Sequence, residues 1–375
     1  MRIQNFTTET PRHRESQNQQ PQKTGLNFHC ALTLRWWILV LLFSLSACSK
    51  PAPTYQEQSY IFGTLVEISI VGESDEHARL ATRAVLQEFQ RLHNLLHAWK
   101  PSELSALNTA IAQEKSLTVA PEIFALLQDA TQVSTQSDGL FNPTIGGLIQ
   151  SWGFQADEFK AVLPAQAHLQ KLVAAKPQMT DLIFSAGNKI SSRNPTVQLD
   201  LGGYAKGYAL DRAADILKQE GIHNALINIG GNVLALGKHG DREWRIGIQH
   251  PRKPGPLATL TLHDGEAIGT SGDYQRFFEL NGQRYCHLID PRTGFPVQGV
   301  QAVTILTRGK TAGLLSDASS KPLFIAGVAG WRTAAQQMKI SEALLIDQQG
   351  IVHLTTAMQN RLEFADKSTV LENQP

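Results

Sequence analysis

Apolar and polar positions alternate from Tyr60 to Val71, the period of a strand with one covered face. From Asp75 the period changes. Ala81, Val85, Phe89, Leu92 and Leu96 follow at helical spacing, one apolar stripe on a helix that Asp75 can cap and Pro101 stops. A second helix is expected over Pro121 to Ser134. Between Ser137 and Phe154 glycine and proline recur too often for a regular element, and residues 160–195 read as a short helix and a strand pair.

The centre of the chain is sharper. Thr196 to Leu201 is expected as a strand, Gly202-Gly203 as a turn, and Lys206 to Glu220 as a helix ending at Gly221. A strand over Ala225 to Ile229 is closed by Gly230-Gly231. Strand patterns then dominate: Glu243 to Gln249, Leu257 to Leu262, Arg276 to Leu280, Arg284 to Ile289 and Val300 to Leu306. Asp317 to Ala326 and Trp331 to Lys339 read as helices, with Pro322 ill-placed inside the first. A strand at Ala343 to Ile346 and a short hairpin follow, and Glu363 to Pro375 is a polar tail. Helices and strands mix without βαβ alternation. This predicts an α+β fold, largely antiparallel sheets with flanking helices, in two intimately joined lobes.

The N-terminus follows another pattern. Met1 to Phe28 is polar and aperiodic. After Arg35 comes an apolar run, Trp36 to Ala47, too short to span a bilayer and suited to the apolar region of a secretion signal. It ends Leu45-Ser46-Ala47-Cys48, small residues before a cysteine that can take a diacylglycerol. Residues 1–47 therefore read as a removed lipoprotein-type signal, Cys48 as the lipidation site, 48–59 as a tether and 60–362 as the folded domain. Cys30 falls in the removed segment, so Cys286 alone remains in the folded part and no intrachain disulfide is expected there. Hydrophobic residues at 42% and charged residues at 18% fit an ordinary globular protein. With a net charge of +1 and no Lys/Arg block, no nucleic-acid partner is expected.

Familiar cofactor motifs are missing. No G-x-G-x-x-G follows a strand, and Gly231 to Lys238 has one residue too many for a P-loop. Gly269 to Gly272 has the wrong order for a nucleophile elbow, and neither a Cys pair nor H-E-x-x-H marks zinc. Three glycine-rich turns beside polar residues remain: DLGGYAKG (200–207), NIGGN (228–232) and GTSGDY (269–274). Any one of them is explained as a tight turn. Together, with a strand, a double glycine and a helix start at Lys206, they make a usable diphosphate cradle.

Six ordered blocks carry a more specific signal: WKPSELSALN (99–108), FNPTIGGLIQSWGF (141–154), DLGGYAKGYALD (200–211), NALINIGG (224–231), TSGDYQRFFE (270–279) and HLIDPRTG (287–294). With Phe62-Gly63-Thr64 before them, they resemble the ApbE-type FAD:protein FMN transferases over nearly all of the folded part. The resemblance implies FAD as substrate and Mg²⁺ on its diphosphate. A Ser or Thr hydroxyl of an acceptor protein attacks the FMN phosphorus, and AMP leaves. It implies an acceptor in a membrane electron-transfer complex and favours the periplasmic face of the inner membrane, with the outer membrane left open by Ser49 after Cys48. The same pocket also suits an FAD pyrophosphatase yielding FMN and AMP, or a non-catalytic periplasmic FAD-binding protein.

The resemblance also assigns residues. Asp317 is implied as metal ligand and catalytic residue, although an Asp at a helix start reads by itself as an N-cap. Gly203, Ser320 and Lys321 stand at the other metal-site positions. Lys321 departs from the family's usual Thr. An ammonium cannot ligate a cation, so Lys321 swings away, binds a phosphate oxygen or weakens the metal site. His287 is implied as the general base, with a structural histidine bonding the next turn as the alternative. Flavin contacts are implied for Phe62, Trp99, Leu140, Phe141, Asn142, Asp200, Lys206 and Ile289. Phe62 replaces a frequent Met, and Asn142 a frequent Asp. Trp99 offers a flat ring for isoalloxazine or adenine, though core packing would equally explain a Trp.

Overall fold

The expected signal and Cys48 lie outside the residues described by the computed structural model of the protein, 52–156 and 158–372. Within them the chain opens on a hairpin, β1 (Thr54–Ile61) and β2 (Thr64–Val71), turned at Phe62 and Gly63, both at positive φ (58° and 70°). One expected strand is thus two, and residues 54–59 of the expected tether are sheet. They look like a tether because β1 is an edge strand whose exposed positions over 54–59 are polar.

β3 (Ala225–Ile229), β4 (Asn232–Leu236), β5 (Glu266–Gly272), β6 (Val300–Arg308), β7 (Glu342–Asp347), β8 (Val352–Leu354) and β9 (Leu371–Glu372) complete a nine-stranded sheet whose spatial order is its chain order. Neighbours are antiparallel except β8 and β9. The fold is α+β, as expected. The expected polar tail holds β9, and the strand Leu362–Phe364 crosses its expected start at Glu363. β4 and β5 escape the sequence pattern because they are buried on both faces and so do not alternate. The expected turn Gly269 to Gly272 is the body of β5. Conversely, Thr196 to Leu201 forms only an isolated bridge, Gln198 to Ile145, not a strand.

One face of the sheet carries α1 (Asp75–Leu95), α2 (Ala205–Gln219) and α3 (Ala312–Gln337). Ser74, one residue before the expected Asp75, caps α1 by accepting from the His77 N–H at 3.3 Å. Val66, Ile68 and Ile70 of β2 and Ala225, Ile227 and Ile229 of β3 meet Val85 and Phe89 of α1 in one apolar cluster. Their alternation puts Val233, Ala235, Ile268 and Leu344 on the other face, under a three-stranded sheet of Trp244–Gln249, Pro256–Leu262 and Leu362–Phe364. Each fully buried Ile, Leu or Val adds about 1.5–3 kcal/mol to this sandwich.

The second part of the core lies between α1 and α2 in sequence. Helices Glu103–Ala112 and Pro121–Gln136 pack Leu104, Leu107, Ile123 and Leu127 against Ile190, Leu199 and Tyr204. The first of these helices is not apparent in the sequence pattern. Its start is a reciprocal box in which Ser105 stands where Glu or Gln is usual, with Ser102 as the cap.

α2 and α3 cross closely enough to require glycine. A Cβ on Gly207 would lie 2.4 Å from the Gly313 carbonyl oxygen, and one on Gly313 2.6 Å from that of Gly207. α3 begins at Ala312, so Asp317 is inside the helix and is not its cap. Gly327, at φ 67° and ψ −175°, breaks α3 where two helices are expected, and Pro322 stays within the first segment. The cap comes from the neighbouring helix instead. Asp211 of α2 accepts from the N–H groups of Gly313 at 2.7 Å and Leu314 at 2.8 Å.

Burial pushes the Asp211 carboxyl up to about 7, against those two N–H groups, which lower it. A carboxyl raised on folding contributes its stability fully below its unfolded pKa and loses it as pH rises through the folded one. Wild-type stability is therefore expected to fall between about pH 4 and pH 7 through this group, and Asp211→Asn to flatten that slope. Urea midpoints across this range decide it; equal slopes in both proteins would refute the assignment.

Candidate active site

The turn before α2, the first turn of α2 and the early part of α3 meet at one place. Asp200 is buried; its N–H donates to the Pro143 carbonyl at 2.8 Å. Its Oδ1 accepts from the Gly202 N–H at 2.9 Å and its Oδ2 from Gln155 Nε2 at 3.0 Å. This Asx-type turn holds Gly202-Gly203 at the N-terminus of α2. Lys206 folds back, donating from Nζ to the Gly202 carbonyl at 3.1 Å and standing 3.8 Å from Asp317 Oδ1.

Asp317 is wholly buried. Its Oδ2 accepts from the Gly207 N–H at 3.0 Å, and its Oδ1 takes a short contact from Lys321 Nζ. The same ammonium donates to the Asp317 main-chain carbonyl at 2.6 Å. Burial would raise this carboxyl, but the Lys206 and Lys321 charges, the Lys321 hydrogen bond and the Gly207 N–H outweigh it and hold the group down at about 2. Ser320 is equally buried. Its Oγ is 2.7 Å from Ser271 Oγ on β5 and donates to the Asp317 carbonyl at 2.8 Å.

His287 follows the strand Gln283–Cys286. Its N–H donates to the Arg276 carbonyl at 3.0 Å, and its ring Nδ1 lies 3.2 Å from the same oxygen. A carbonyl only accepts, so Nδ1 carries the proton and Nε2 the lone pair. Burial, then the charges of Arg276, Lys206 and Lys321, push the imidazole down to about 3. The contact with the following Asp290 turn, the structural alternative, is not made by this ring. Arg276 Nη2 donates to the Phe154 carbonyl at 2.8 Å, and Gln155 beside it holds Asp200. One dipeptide thus ties the His287 side of the site to the Asp200 side.

The expected flavin contacts divide. Phe62, on the first hairpin, meets His93 at 5.8 Å between ring centroids; His93 meets His97 at 5.1 Å and His97 meets Trp99 at 4.6 Å. Trp99 is 39% exposed, so core packing does not explain it. Leu140 is half-buried. Phe141 and Ile289 are buried in separate apolar clusters. Asn142 spends its side chain on the loop, donating to the Pro177 carbonyl at 2.9 Å and accepting from Thr144 Oγ1 at 2.6 Å. Two surface hollows, of about 280 Å³ along β1 and β2 and about 640 Å³ between β1 and α1, include none of Asp200, His287 and Asp317 in their walls.

The model of the ApbE family matches residues 62–345. The chain belongs to the ApbE family. An FAD:protein FMN transferase of Rhodobacter capsulatus is 41% identical over 91% of this chain; the aligned part is 63% of that protein, under two thirds of its length. One from Klebsiella pneumoniae (strain 342) is 30% identical over 83% of this chain and 95% of its own. Among solved structures, the ApbE protein of Thermotoga maritima superposes with a TM-score of 0.74 at 29% identity, covering 82% of this chain and 99% of that one.

In this ApbE-family chain Gln155, Gly207, Ser271 and Arg276 are the site residues that sequence reasoning does not single out. All four lie inside or beside matching blocks, yet partners are far away in sequence: Ser271 meets Ser320, and Arg276 meets Phe154. Gly207 had a signal, since a glycine in the first turns of a helix lowers its propensity and calls for a packing reason.

Proposed function

We propose that this chain transfers FMN from FAD to a Ser or Thr hydroxyl of an acceptor protein and releases AMP. The observation that carries the reading is a His287 imidazole, with Nε2 as its lone-pair nitrogen, that feels the charges of two partly buried ammonium groups, Lys206 and Lys321, beside a Gly-Gly turn. The acceptor oxygen attacks the FMN phosphorus, the bond to the bridging oxygen breaks, and AMP departs with that oxygen. His287 Nε2 takes the hydroxyl proton. Lys206, Lys321 and the Gly202-Gly203 backbone offset the charge of the diphosphate. Asp200 positions the turn, and Phe62, Trp99 and Leu140 line the flavin side.

The decisive experiment incubates the protein with FAD and a peptide bearing the acceptor Ser or Thr. Mass spectrometry should find an FMN adduct on the peptide, with AMP released in equal amount. AMP released at the same rate without peptide would instead indicate the pyrophosphatase, and FAD bound with no AMP at all the binding protein.

Trp99→Ala is expected to weaken FAD binding about 5–100-fold, the range for losing one aromatic stacking partner, with little change in kcat. Quenching of intrinsic fluorescence by added flavin measures it; an unchanged Kd would remove Trp99 from the site.

Mg²⁺ does not fit the donors as they stand. Among the described residues no three His, Cys, Asp or Glu side chains gather to hold a metal. Asp317 already serves Lys321, Lys206 and the Gly207 N–H, and Ser320 is committed to Ser271 and the Asp317 carbonyl. For placement in the cell, the reading extends to lipidation at Cys48 and a site at the periplasmic face of the inner membrane, with an acceptor in a membrane electron-transfer complex. The support is the apolar run and the Leu45-Ser46-Ala47-Cys48 ending. Cys48→Ser should leave the protein in the soluble fraction of fractionated cells; continued membrane association would overturn the anchor.

A further inference from the structure

We propose that the Lys321 ammonium takes the place of a divalent cation between Asp317 and the FAD diphosphate, so that FAD binding and FMN transfer by this chain need no metal. The inference rests on the functional reading above for its substrate, and on the geometry around Lys321 for its content. Nζ is held by a carboxylate oxygen and a main-chain carbonyl oxygen of the same residue, Asp317. These are the hard oxygen donors that a small cation would use. The Lys321 stem reaches that point by crossing Gly203, where a Cβ would stand 3.2 Å from Lys321 Cε. The ammonium therefore ends between the buried carboxylate and the turn that faces the diphosphate.

The charges agree with this assignment. Asp317 carries one negative charge and is reached by both Lys206 and Lys321, while the Asp200 carboxylate is taken up by the Gly202 N–H and Gln155. A dication added beside two ammonium groups would meet repulsion from both, with the Asp317 carboxylate already engaged by them. The remaining side-chain oxygen, Ser320 Oγ, is turned to Ser271 and to the Asp317 carbonyl. Lys321 meets a phosphate as a point charge with three donors, so it can keep its Asp317 contacts and still offer an N–H to a phosphate oxygen.

The test uses the full chain, with FAD titrated and transfer to the acceptor peptide followed in EDTA and in excess Mg²⁺. The FAD Kd and the transfer rate are expected to agree within about twofold, since no site remains for the ion. Mn²⁺ added to the FAD complex should stay free by electron paramagnetic resonance. Lys321→Thr should lose about tenfold or more in FAD affinity in EDTA, the cost of a charge-assisted contact. It should recover that affinity with Mg²⁺ and bind one Mn²⁺. Loss of FAD binding by the wild-type protein in EDTA, or stoichiometric Mn²⁺ in its FAD complex, would overturn the proposal, and neither measurement depends on the variant folding. FAD binding that is metal-independent without any transfer would break the assigned reaction and leave the ammonium site standing. No FAD binding under either condition would end both.

Discussion

His287→Ala is expected to slow FMN transfer by about 10²–10⁴-fold, the usual contribution of a general base, while FAD still binds. The ring is fixed by its Nδ1–H on the Arg276 carbonyl, and removing it takes away the proton acceptor and little else. The pH profile separates this from a structural role. In the free protein burial and the Arg276, Lys206 and Lys321 cations hold the imidazole at about 3, so it is neutral and able to accept a proton throughout the neutral range. A diphosphate beside those cations offsets their charge and raises the proton affinity of the ring. Activity needs the neutral form, so it falls as pH drops through the pKa. The acid limb of kcat, which reports the bound complex, should therefore lie at higher pH than that of kcat/KM, which reports the free protein. An acid limb of kcat/KM at the ordinary histidine value would show that the ring is not in the buried, cation-flanked setting described. Full activity in the variant would remove it from the chemistry.

The second large effect concerns stability. Asp317→Ala is expected to cost about 3–5 kcal/mol, the range for removing one partner of a buried ion pair. The Gly207 N–H at the crossing of α2 and α3 loses its acceptor, Lys321 loses the carboxylate but keeps the main-chain carbonyl, and Lys206 loses a nearby opposite charge. Lys206 reaches toward solvent and keeps the Gly202 carbonyl, but Lys321 is more deeply enclosed and carries most of the penalty. The double variant Asp317→Ala with Lys321→Met should recover part of the loss, because the uncompensated charge goes with the lysine. Urea denaturation of the protein without FAD measures both. A single variant within about 1 kcal/mol of wild type would mean that water reaches this pair and screens it as it does a surface ion pair.

Periodicity was a good guide where an element has one wet face. The apolar stripe of α1 and the alternation in β3 could be read from residue spacing because one side of each is covered and the other is not. Where both faces are covered, β6 and β7 could still be read, but β4 and β5 could not. β4 and β5 have no polar side to mark them, and the glycines of β5 imitate a turn. Gly269 is there because a Cβ would stand 2.3 Å from the Ser316 carbonyl oxygen, a contact with α3 that no local pattern contains. The polar edge strand β1 was lost for the opposite reason: with so little buried, it reads as linker.

The site shows the same division. The order of its glycine-rich blocks was legible in the residues, and the resemblance that those blocks carry pointed to Asp200, His287 and Asp317. The oddity of Lys321, an ammonium where a metal-binding residue was expected, was legible as well. Sequence left three fates open for it, and the packing of α2 on α3 sets the contact it makes, Nζ on Asp317. That packing brings Asp317 under Lys206 and leaves space over Gly203 for the Lys321 stem. A buried carboxylate must be compensated by whatever cation is within reach, and reach is a property of the folded chain.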